Sequence, residues 1–287
     1  MILLAAALTI PLGLDLYVPV PEGNPITKAK IELGRRLFFD RRLSRDQSIS
    51  CASCHDPNLA FSDGRPVSVG VFGRRGRRNA PALVNRAYGR SFFWDGRSRS
   101  LEEQVLEPIA DPNEMDLGIG EASTRVRLPA AEISRALATF IRSLLSGDAA
   151  YDRFTAGDDD ALNGRQKSGL AIFRGKANCA SCHSGPNLTD ERLHNTGVAW
   201  QAGTMKDDGG GNGSFKTPTL REITRSAPYM HDGSFATLQE VVEYYDRGGN
   251  KNPQLDPEIR SLGLTVVEKG DLLEFLSFTL EGGLSRR

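Results

Sequence analysis

The sequence lacks an excess of charge of either sign, since 36 Lys and Arg residues balance 36 Asp and Glu residues among its 287. Nucleic-acid-binding proteins normally carry a basic surface, so we expect no nucleic-acid partner. No apolar run reaches the roughly 20 residues that a transmembrane helix needs, so we expect no membrane span. With 39% apolar and 25% charged residues, the chain has the composition of an ordinary globular protein.

The N-terminal segment, residues 1–14, is apolar and about as long as the core of an export signal. No Lys or Arg precedes this core, although export signals normally begin with positive charge. We interpret the segment as the remnant of a signal, which favours a periplasmic location. The alternative is an N-terminal arm that packs on the folded protein.

Apolar residues recur at helical spacing along most of the chain and show no convincing strand-like alternation, which predicts a mostly α fold. Capping-box pairs predict three helix starts, at Ser100, Asn163 and Thr237. The acidic, glycine-containing stretch at residues 157–160 is interpreted as a linker. We therefore expect an N-terminal domain of residues 15–155 and a C-terminal domain of residues 156–287.

Cysteine and histidine are scarce, with four residues of each, and their placement is informative. The pentapeptide Cys-Ala-Ser-Cys-His occurs at residues 51–55 and again at residues 179–183, and the two copies contain all four cysteines. A zinc site would bring two such pairs within about 20 residues, and a thioredoxin-like motif would need a βαβ context. C-x-x-C-H is instead the signature of covalent haem c, in which two thiols bind one porphyrin and the histidine ligates its iron. We predict two haem c groups, attached through Cys51, Cys54 and His55 and through Cys179, Cys182 and His183.

Two haems are compatible with an electron carrier, a gas sensor or a peroxide-using enzyme. A carrier needs two six-coordinate irons, whereas a peroxidase needs one open face beside an acid–base group. A sensor usually carries an output domain, and none is evident in this sequence. The remaining histidines, His194 and His231, both lie in the second half, so the first haem has no obvious histidine to close its distal face.

Further segments are specific enough to suggest a family. They are LGRRLFFD at 33–40, FSDG at 61–64, RNAP at 78–81, FFWDGR at 92–97, PNEM at 112–115, FKTPTLR at 215–221 and APYMHDG at 227–233. Together with the haem motifs, they resemble the bacterial di-haem cytochrome c peroxidase and MauG family from about Leu33 to the C terminus. The resemblance implies two cytochrome-c-like domains, with hydrogen peroxide reacting at the first haem.

The resemblance also implies roles for side chains that would otherwise have ordinary interpretations. Glu114 and Gln104 match the acid and the amide on the distal side of the first haem, where Glu114 would shuttle a proton. Trp94 matches the tryptophan that passes electrons between the haems. Without the resemblance, Glu114 and Gln104 would be read as solvated side chains and Trp94 as a core aromatic.

A calcium site between the domains is implied in the same way. Asn79, with the backbone carbonyls of Ser226 and Pro228, matches this site, and hard oxygen ligands suit Ca²⁺. His194 matches a family stretch near the second haem, and we interpret it as a hydrogen-bonding residue rather than an iron ligand.

The first departure from the family pattern is at Val71. In the cytochrome-oxidising peroxidases, the loop after the first haem reads Ser-x-Gly-His, and that histidine caps the resting iron. Here the loop at residues 68–71 ends in Val71, and valine cannot ligate iron. We therefore expect the first haem to be five-coordinate or water-bound.

The second departure is at Tyr245, where those peroxidases have a methionine ligand to the second haem. Tyr245 follows Leu238 by seven residues and shares its helix face, which is predicted to be buried. A phenolate ligand would lower the reduction potential of the second haem. The alternative leaves Tyr245 hydrogen-bonded in the core and gives the iron Met230 or Met205 as its ligand.

An open first haem and a His/Tyr second haem are the pattern of the MauG branch, including the MbnH type. We therefore expect oxidation of Trp or Tyr residues on a partner protein. One alternative is a cytochrome c peroxidase that takes electrons from a small cytochrome c or a cupredoxin. A second alternative is a non-enzymatic di-haem electron carrier.

Overall fold

The computed structural model describes residues 8–284, which form nine α-helices and two short antiparallel strand pairs. The helices are α1 Lys28–Phe38, α2 Leu101–Gln104, α3 Glu107–Ala110, α4 Ile119–Val126, α5 Ala130–Arg142, α6 Ala150–Thr155, α7 Gly164–Arg174, α8 Leu238–Asp246 and α9 Val266–Phe278. The strands are β1 Leu193–His194, β2 Trp200–Gln201, β3 Thr204–Met205 and β4 Phe215–Lys216, with β1 paired to β4 and β2 to β3. No helix in this range is long and apolar enough to cross a bilayer. The prediction of a mostly α fold is confirmed.

Short 3₁₀ turns connect these elements and carry both haem motifs. They span Arg41–Leu43, Cys51–Ser53, Pro57–Leu59, Val71–Gly73, Arg86–Tyr88, Asp159–Ala161, Cys179–Ser181 and Ile223–Arg225. The predicted helix starts are confirmed, because the side chains of Ser100, Asn163 and Thr237 each accept a hydrogen bond from a backbone N–H in the first turn.

Each domain is built on two helices that touch through a glycine. In the first domain, a Cβ at Gly34 of α1 would lie 2.0 Å from the carbonyl oxygen of Ala136 in α5. In the second, a Cβ at Gly169 of α7 would lie 2.0 Å from the carbonyl oxygen of Asp271 in α9. Only glycine therefore allows the two backbones of each pair to approach this closely.

The glycine contact in each domain is followed by the same aromatic contact. Phe38, four residues after Gly34, packs on Phe140 with ring centroids 5.1 Å apart. Phe173, four residues after Gly169, packs on Phe275 at 5.3 Å. Two separate apolar cores result, one around each aromatic pair.

Along the chain, residues stop contributing to the first apolar core and begin contributing to the second close to the predicted linker. The stretch at residues 157–160 contributes to a 3₁₀ turn that Asp158 caps. Helix α6, which the sequence assigned to the first domain, packs on the second core, with the Tyr151 ring 5.9 Å from that of Phe275. The structure thus places the change of core a few residues before the predicted boundary at residue 155.

Residues 8–14, the described part of the N-terminal segment, pack on the folded protein as an arm. An arm of this kind is the alternative to a signal remnant. Leu14 is buried against Ala87 and Leu145. The guanidinium of Arg221 in the second domain donates to the carbonyl oxygen of Gly13 at 3.2 Å. The arm therefore bridges both domains, while residues 1–7 lie outside the described range.

The two domains pair through reciprocal backbone hydrogen bonds. The N–H of Asn79 donates to the carbonyl oxygen of His231 at 2.7 Å, and the N–H of Lys216 donates to that of Trp94 at 2.7 Å. The same spacing in sequence separates Asn79 from Lys216 and Trp94 from His231. Such reciprocity is the mark of an approximate twofold relation, here between two halves of one chain.

The helix contact at Gly34 can be tested by adding a methyl group. We expect Gly34→Ala to lower the free energy of unfolding by about 1–3 kcal/mol, because the new methyl overlaps the α5 backbone. Gly120→Ala is the matched control, since a Cβ at that position in α4 meets nothing within 4 Å. Denaturant unfolding of the haem-loaded protein measures both, and equal stability of the two variants would contradict the packing argument.

Candidate functional site

A single cavity of about 610 Å³ is bordered by both haem motifs. Cys54 and His55 border it from the first domain, and Cys179, Cys182 and His183 border it from the second. Its volume is typical of a ligand or cofactor pocket. The fold therefore brings the two motifs, far apart in sequence, to one internal space.

The histidine of each motif is oriented by the turn that follows it. Nδ1 of His55 lies 2.7 Å from the carbonyl oxygen of Phe61, and Nδ1 of His183 lies 3.0 Å from that of Leu188. A proton on Nδ1 donated to these carbonyls leaves Nε2 as the free ligand nitrogen. Burial lowers the pKa of both imidazoles, which favours the neutral form that binds metals.

The cysteines of the motifs are free and partly buried, and none forms a disulfide. Burial raises the pKa of Cys51 and of Cys179 to about 12, and that of Cys54 to about 11. Such thiols stay protonated at neutral pH in the absence of a bound group. Paired thiols on one 3₁₀ turn, with a ligand histidine next in sequence, fit thioether attachment of haem c.

Glu114 and Gln104, the predicted distal pair, both border the cavity. Burial, followed by the negative charge of Asp111, raises the pKa of Glu114 to about 7. The charge of Glu114 contributes to the raised pKa values of Cys51 and Cys54, so it lies near the first motif. Glu114 can therefore exchange a proton near neutral pH beside the first haem position.

Val71 is fully buried and does not border the cavity. Its N–H donates to the carbonyl oxygen of Glu114 at 2.8 Å. A Cβ at the neighbouring Gly70 would lie 2.1 Å from the carbonyl oxygen of Asn113, so the loop is packed tightly against the residues around Glu114. Val71 therefore offers the first haem position no ligand.

Trp94 borders the cavity at the contact between the domains. Its indole N–H donates to the carbonyl oxygen of Asn79 at 2.9 Å, and its own carbonyl accepts from Lys216. The ring is thus fixed from both domains.

Arg78 adds an ionic link across the same contact. It bonds Asp95 of the first domain at 2.6 Å and Asp207 of the second at 2.7 Å. Its guanidinium also lies over one face of Phe215, whose ring stacks on His231 with centroids 3.6 Å apart.

The predicted calcium ligands all lie on the wall of the cavity. Asn79, Ser226 and Pro228 all border it. The amide nitrogen of Asn79 donates to the carbonyl oxygen of Arg65 at 2.7 Å. This bond turns the amide so that its oxygen remains available as a hard ligand.

Tyr245 borders the cavity, whereas the adjacent Tyr244 does not. The hydroxyl of Tyr244 donates instead to the carbonyl oxygen of Thr196 at 3.0 Å. Burial raises the pKa of Tyr245, and the charges of Cys179 and Cys182 contribute, which places this phenol beside the second motif.

The two methionine alternatives to Tyr245 lie in different places. Met230 borders the cavity, but Met205 does not. Met205 pairs with Trp200 in the β2–β3 hairpin.

His194 makes hydrogen bonds through both ring nitrogens, in accord with its interpretation as a hydrogen-bonding residue. Nδ1 lies 2.6 Å from Asp256 and Nε2 lies 2.9 Å from Asp190. A hydrogen bond with Cys182, together with those to Asp256 and Asp190, raises the pKa of His194 to about 10. Sequence analysis missed Asp256 because no local signal links it to a residue 62 positions earlier.

Haem attachment at each motif can be tested separately. Replacing both Cys51 and Cys54 by Ala should halve the covalent haem per chain, because the second motif keeps its own thiols. The pyridine haemochrome assay and intact mass measure this content, with Cys179→Ala/Cys182→Ala as the matched variant. Two covalent haems in either double variant would contradict the assignment.

Comparison with known proteins agrees with this geometry. A family model described as di-haem cytochrome c peroxidase matches residues 28–131. The methylamine utilization protein MauG of Methylorubrum extorquens is 39% identical over 90% of this chain and 80% of that protein. Cytochrome-c peroxidase IdrP1 of Pseudomonas sp. (strain SCT) is 35% identical over 90% of this chain and 83% of that protein.

A solved structure extends the likeness to three dimensions. The crystal structure of a MauG-like protein associated with microbial copper homeostasis is similar at a TM-score of 0.84 and 33% identity, covering 94% of this chain and 95% of that one. The expected architecture of two cytochrome-c-like domains is thereby confirmed. The chain belongs to the di-haem cytochrome c peroxidase and MauG family and is an oxidoreductase with two haem c groups.

Proposed function

We propose that this protein uses hydrogen peroxide at the haem of the first motif to oxidise Trp or Tyr side chains of a partner protein, in the manner of MauG. The observation that carries the proposal is Val71, which supplies no ligand and is bonded to the backbone of Glu114. The first iron is then open to peroxide without prior reduction. The 39% identity to a MauG protein supports the same proposed function.

The residues around the first haem position suit peroxide cleavage. When bound, the haem at His55 supplies an iron that accepts oxidising equivalents from peroxide. Glu114 would take a proton from peroxide in the cavity and return it to the departing oxygen, which would leave as water. Gln104 donates a hydrogen bond that orients the peroxide. Conversion of one peroxide to two waters consumes two electrons and two protons, and the partner's side chains supply the electrons.

Trp94 and Tyr245 connect this chemistry to the second haem position. Trp94 borders the cavity that both motifs share and is the aromatic path between them. We propose that Tyr245, together with His183, would hold the iron of the second haem, because its phenol lies beside Cys179 and Cys182.

We also propose that Asn79, Ser226 and Pro228 bind calcium between the domains. The approximate twofold relation between the two halves of the chain makes the carbonyl of Ser91 equivalent to that of Pro228. The guanidinium of Arg86 donates to the Ser91 carbonyl at 3.3 Å, so a cation already occupies the equivalent position. This parallel supports a metal cation at the second position, where no arginine is equivalent to Arg86.

A second candidate function is reduction of peroxide with electrons from a small cytochrome c or a cupredoxin. The 35% identity to a protein named as a cytochrome-c peroxidase favours it. A non-enzymatic electron carrier is a third candidate and requires two six-coordinate haems. We place the protein in the periplasm, because haem c is attached outside the cytoplasm.

Low-temperature EPR of the fully oxidised protein tests the proposal. We expect one high-spin signal from the open first haem and one low-spin signal from the second. Both should disappear after one equivalent of peroxide with no reductant present. Two low-spin signals that ignore peroxide until the protein is half-reduced would reject the MauG-like function.

Tyr245→Phe tests the ligand assignment in the same experiment. This variant should convert the low-spin signal to a different spin state or ligand field, because the phenolate oxygen is lost. Tyr244→Phe is the matched control, since Tyr244 does not border the cavity and its hydroxyl bonds the backbone of Thr196. An unchanged low-spin signal in Tyr245→Phe would point to Met230.

The pKa of Glu114 predicts a pH dependence. Only the ionised carboxylate can accept the peroxide proton, so the rate of peroxide reaction should rise with pH through about 7 and then level. Glu114→Gln should lower this rate by about 10²–10⁴-fold and remove the inflection. Asp111→Asn should move the inflection to lower pH, because it removes a negative charge that raises the pKa of Glu114. Stopped-flow absorbance measures all three rates, and an inflection retained in Glu114→Gln would assign it to another group.

A further inference from the structure

The turns that follow the two haem motifs place one aspartate each in equivalent positions. Oδ1 of Asp63 accepts from the N–H of Arg65 at 3.0 Å, and Oδ1 of Asp190 accepts from the N–H of Arg192 at 3.0 Å. Each aspartate lies two residues after the carbonyl that orients its motif's histidine. The two carboxylates therefore stand at the same place beside their respective haem positions.

The second oxygen of each carboxylate has a different environment. Oδ2 of Asp190 bonds Nε2 of His194 at 2.9 Å, and this imidazole also contacts Asp256 and Cys182. Oδ2 of Asp63 is buried and makes no hydrogen bond with any residue from 8 to 284. The position equivalent to His194, four residues after Asp63, is Val67.

The unpaired carboxylate acts directly on the first motif. Burial and then the charge of Asp63 raise the pKa of Cys54 to about 11. The same charge acts on His55. The guanidinium of Arg65 opposes Asp63 at Cys54 but is exposed, so solvent screens it.

At the second motif, the positive charge of His194 offsets the negative charge of a neighbouring aspartate. With a carboxylate at each ring nitrogen, His194 is held as an imidazolium. It neutralises Asp190 beside Cys182, which leaves Asp256 as the remaining negative group of the cluster.

We propose that Asp63 and His194 bring the reduction potentials of the two haems together. A nearby negative charge stabilises the more positive, oxidised iron and lowers its potential, whereas a cation raises it. Asp63 lowers the potential of the first haem. His194 raises that of the second and opposes the lowering by a Tyr245 phenolate. Matched potentials allow oxidising equivalents to be shared through Trp94, so this inference rests on the proposed function.

Both residues are positioning residues that act through charge, and a redox titration followed by absorbance tests them. Asp63→Asn should raise the midpoint potential of the first haem and leave the second unchanged. His194→Gln should lower the midpoint potential of the second haem and leave the first unchanged. Each variant should therefore change the separation between the two potentials. An unchanged potential of the adjacent haem in either variant would overturn the proposal.

Three further variants, at two positions, distinguish an effect of charge from damage to the structure. Asp256→Asn should raise the potential of the second haem, opposite in sign to His194→Gln, although both alter the same cluster. Val67→His should raise the potential of the first haem by pairing Asp63, whereas Val67→Leu should leave it unchanged. Shifts of the same sign in Asp256→Asn and His194→Gln would mean disruption of the loop and overturn the proposal. The EPR test of the proposed function is independent, since it reads spin states and not potentials.

Discussion

The reciprocal hydrogen bonds from Asn79 to His231 and from Lys216 to Trp94 are the constraint on which the site depends. Each bond joins a loop of one domain to a turn of the other, so the domains cannot shift without breaking both. This pairing gives the two haem motifs one common cavity and fixes Trp94 at its border. Each domain has its own apolar core, whereas the backbone hydrogen bonds between the domains bring the residues of the site together.

Departures from the twofold relation give the two halves different chemistry. Trp94 corresponds to His231, although the surrounding turns carry equivalent bridges, Phe92 with Ser98 and Tyr229 with Phe235. Val67 follows Asp63 by four residues, as His194 follows Asp190. Phe93 and Met230, next to the first pair, even share a left-handed conformation, with φ of 65° and 74°. A duplicated scaffold therefore gives the two haem motifs different surroundings, through changes in a few side chains.

The sequence predicted the parts of the site that depend on local spacing. The two pentapeptides, the helix caps and the helix face shared by Leu238 and Tyr245 all follow from residues within one or two helical turns. The assignment of Glu114 needed a family resemblance, because its raised pKa comes from burial by distant segments. The partners of His194 and the packed arm at Leu14 depend on contacts between remote parts of the chain, which no local pattern encodes.

The shared cavity also has a consequence for how the protein is assembled. Residues of both domains enclose it, and the arm at residues 8–14 closes over the junction through Arg221. Each haem motif therefore borders a space that also has walls from the other domain, so the surroundings of either motif are complete only once the domains have paired. The arm packs on Ala87 and Leu145 of the first domain and accepts a hydrogen bond from Arg221 of the second, which couples its seating to this pairing.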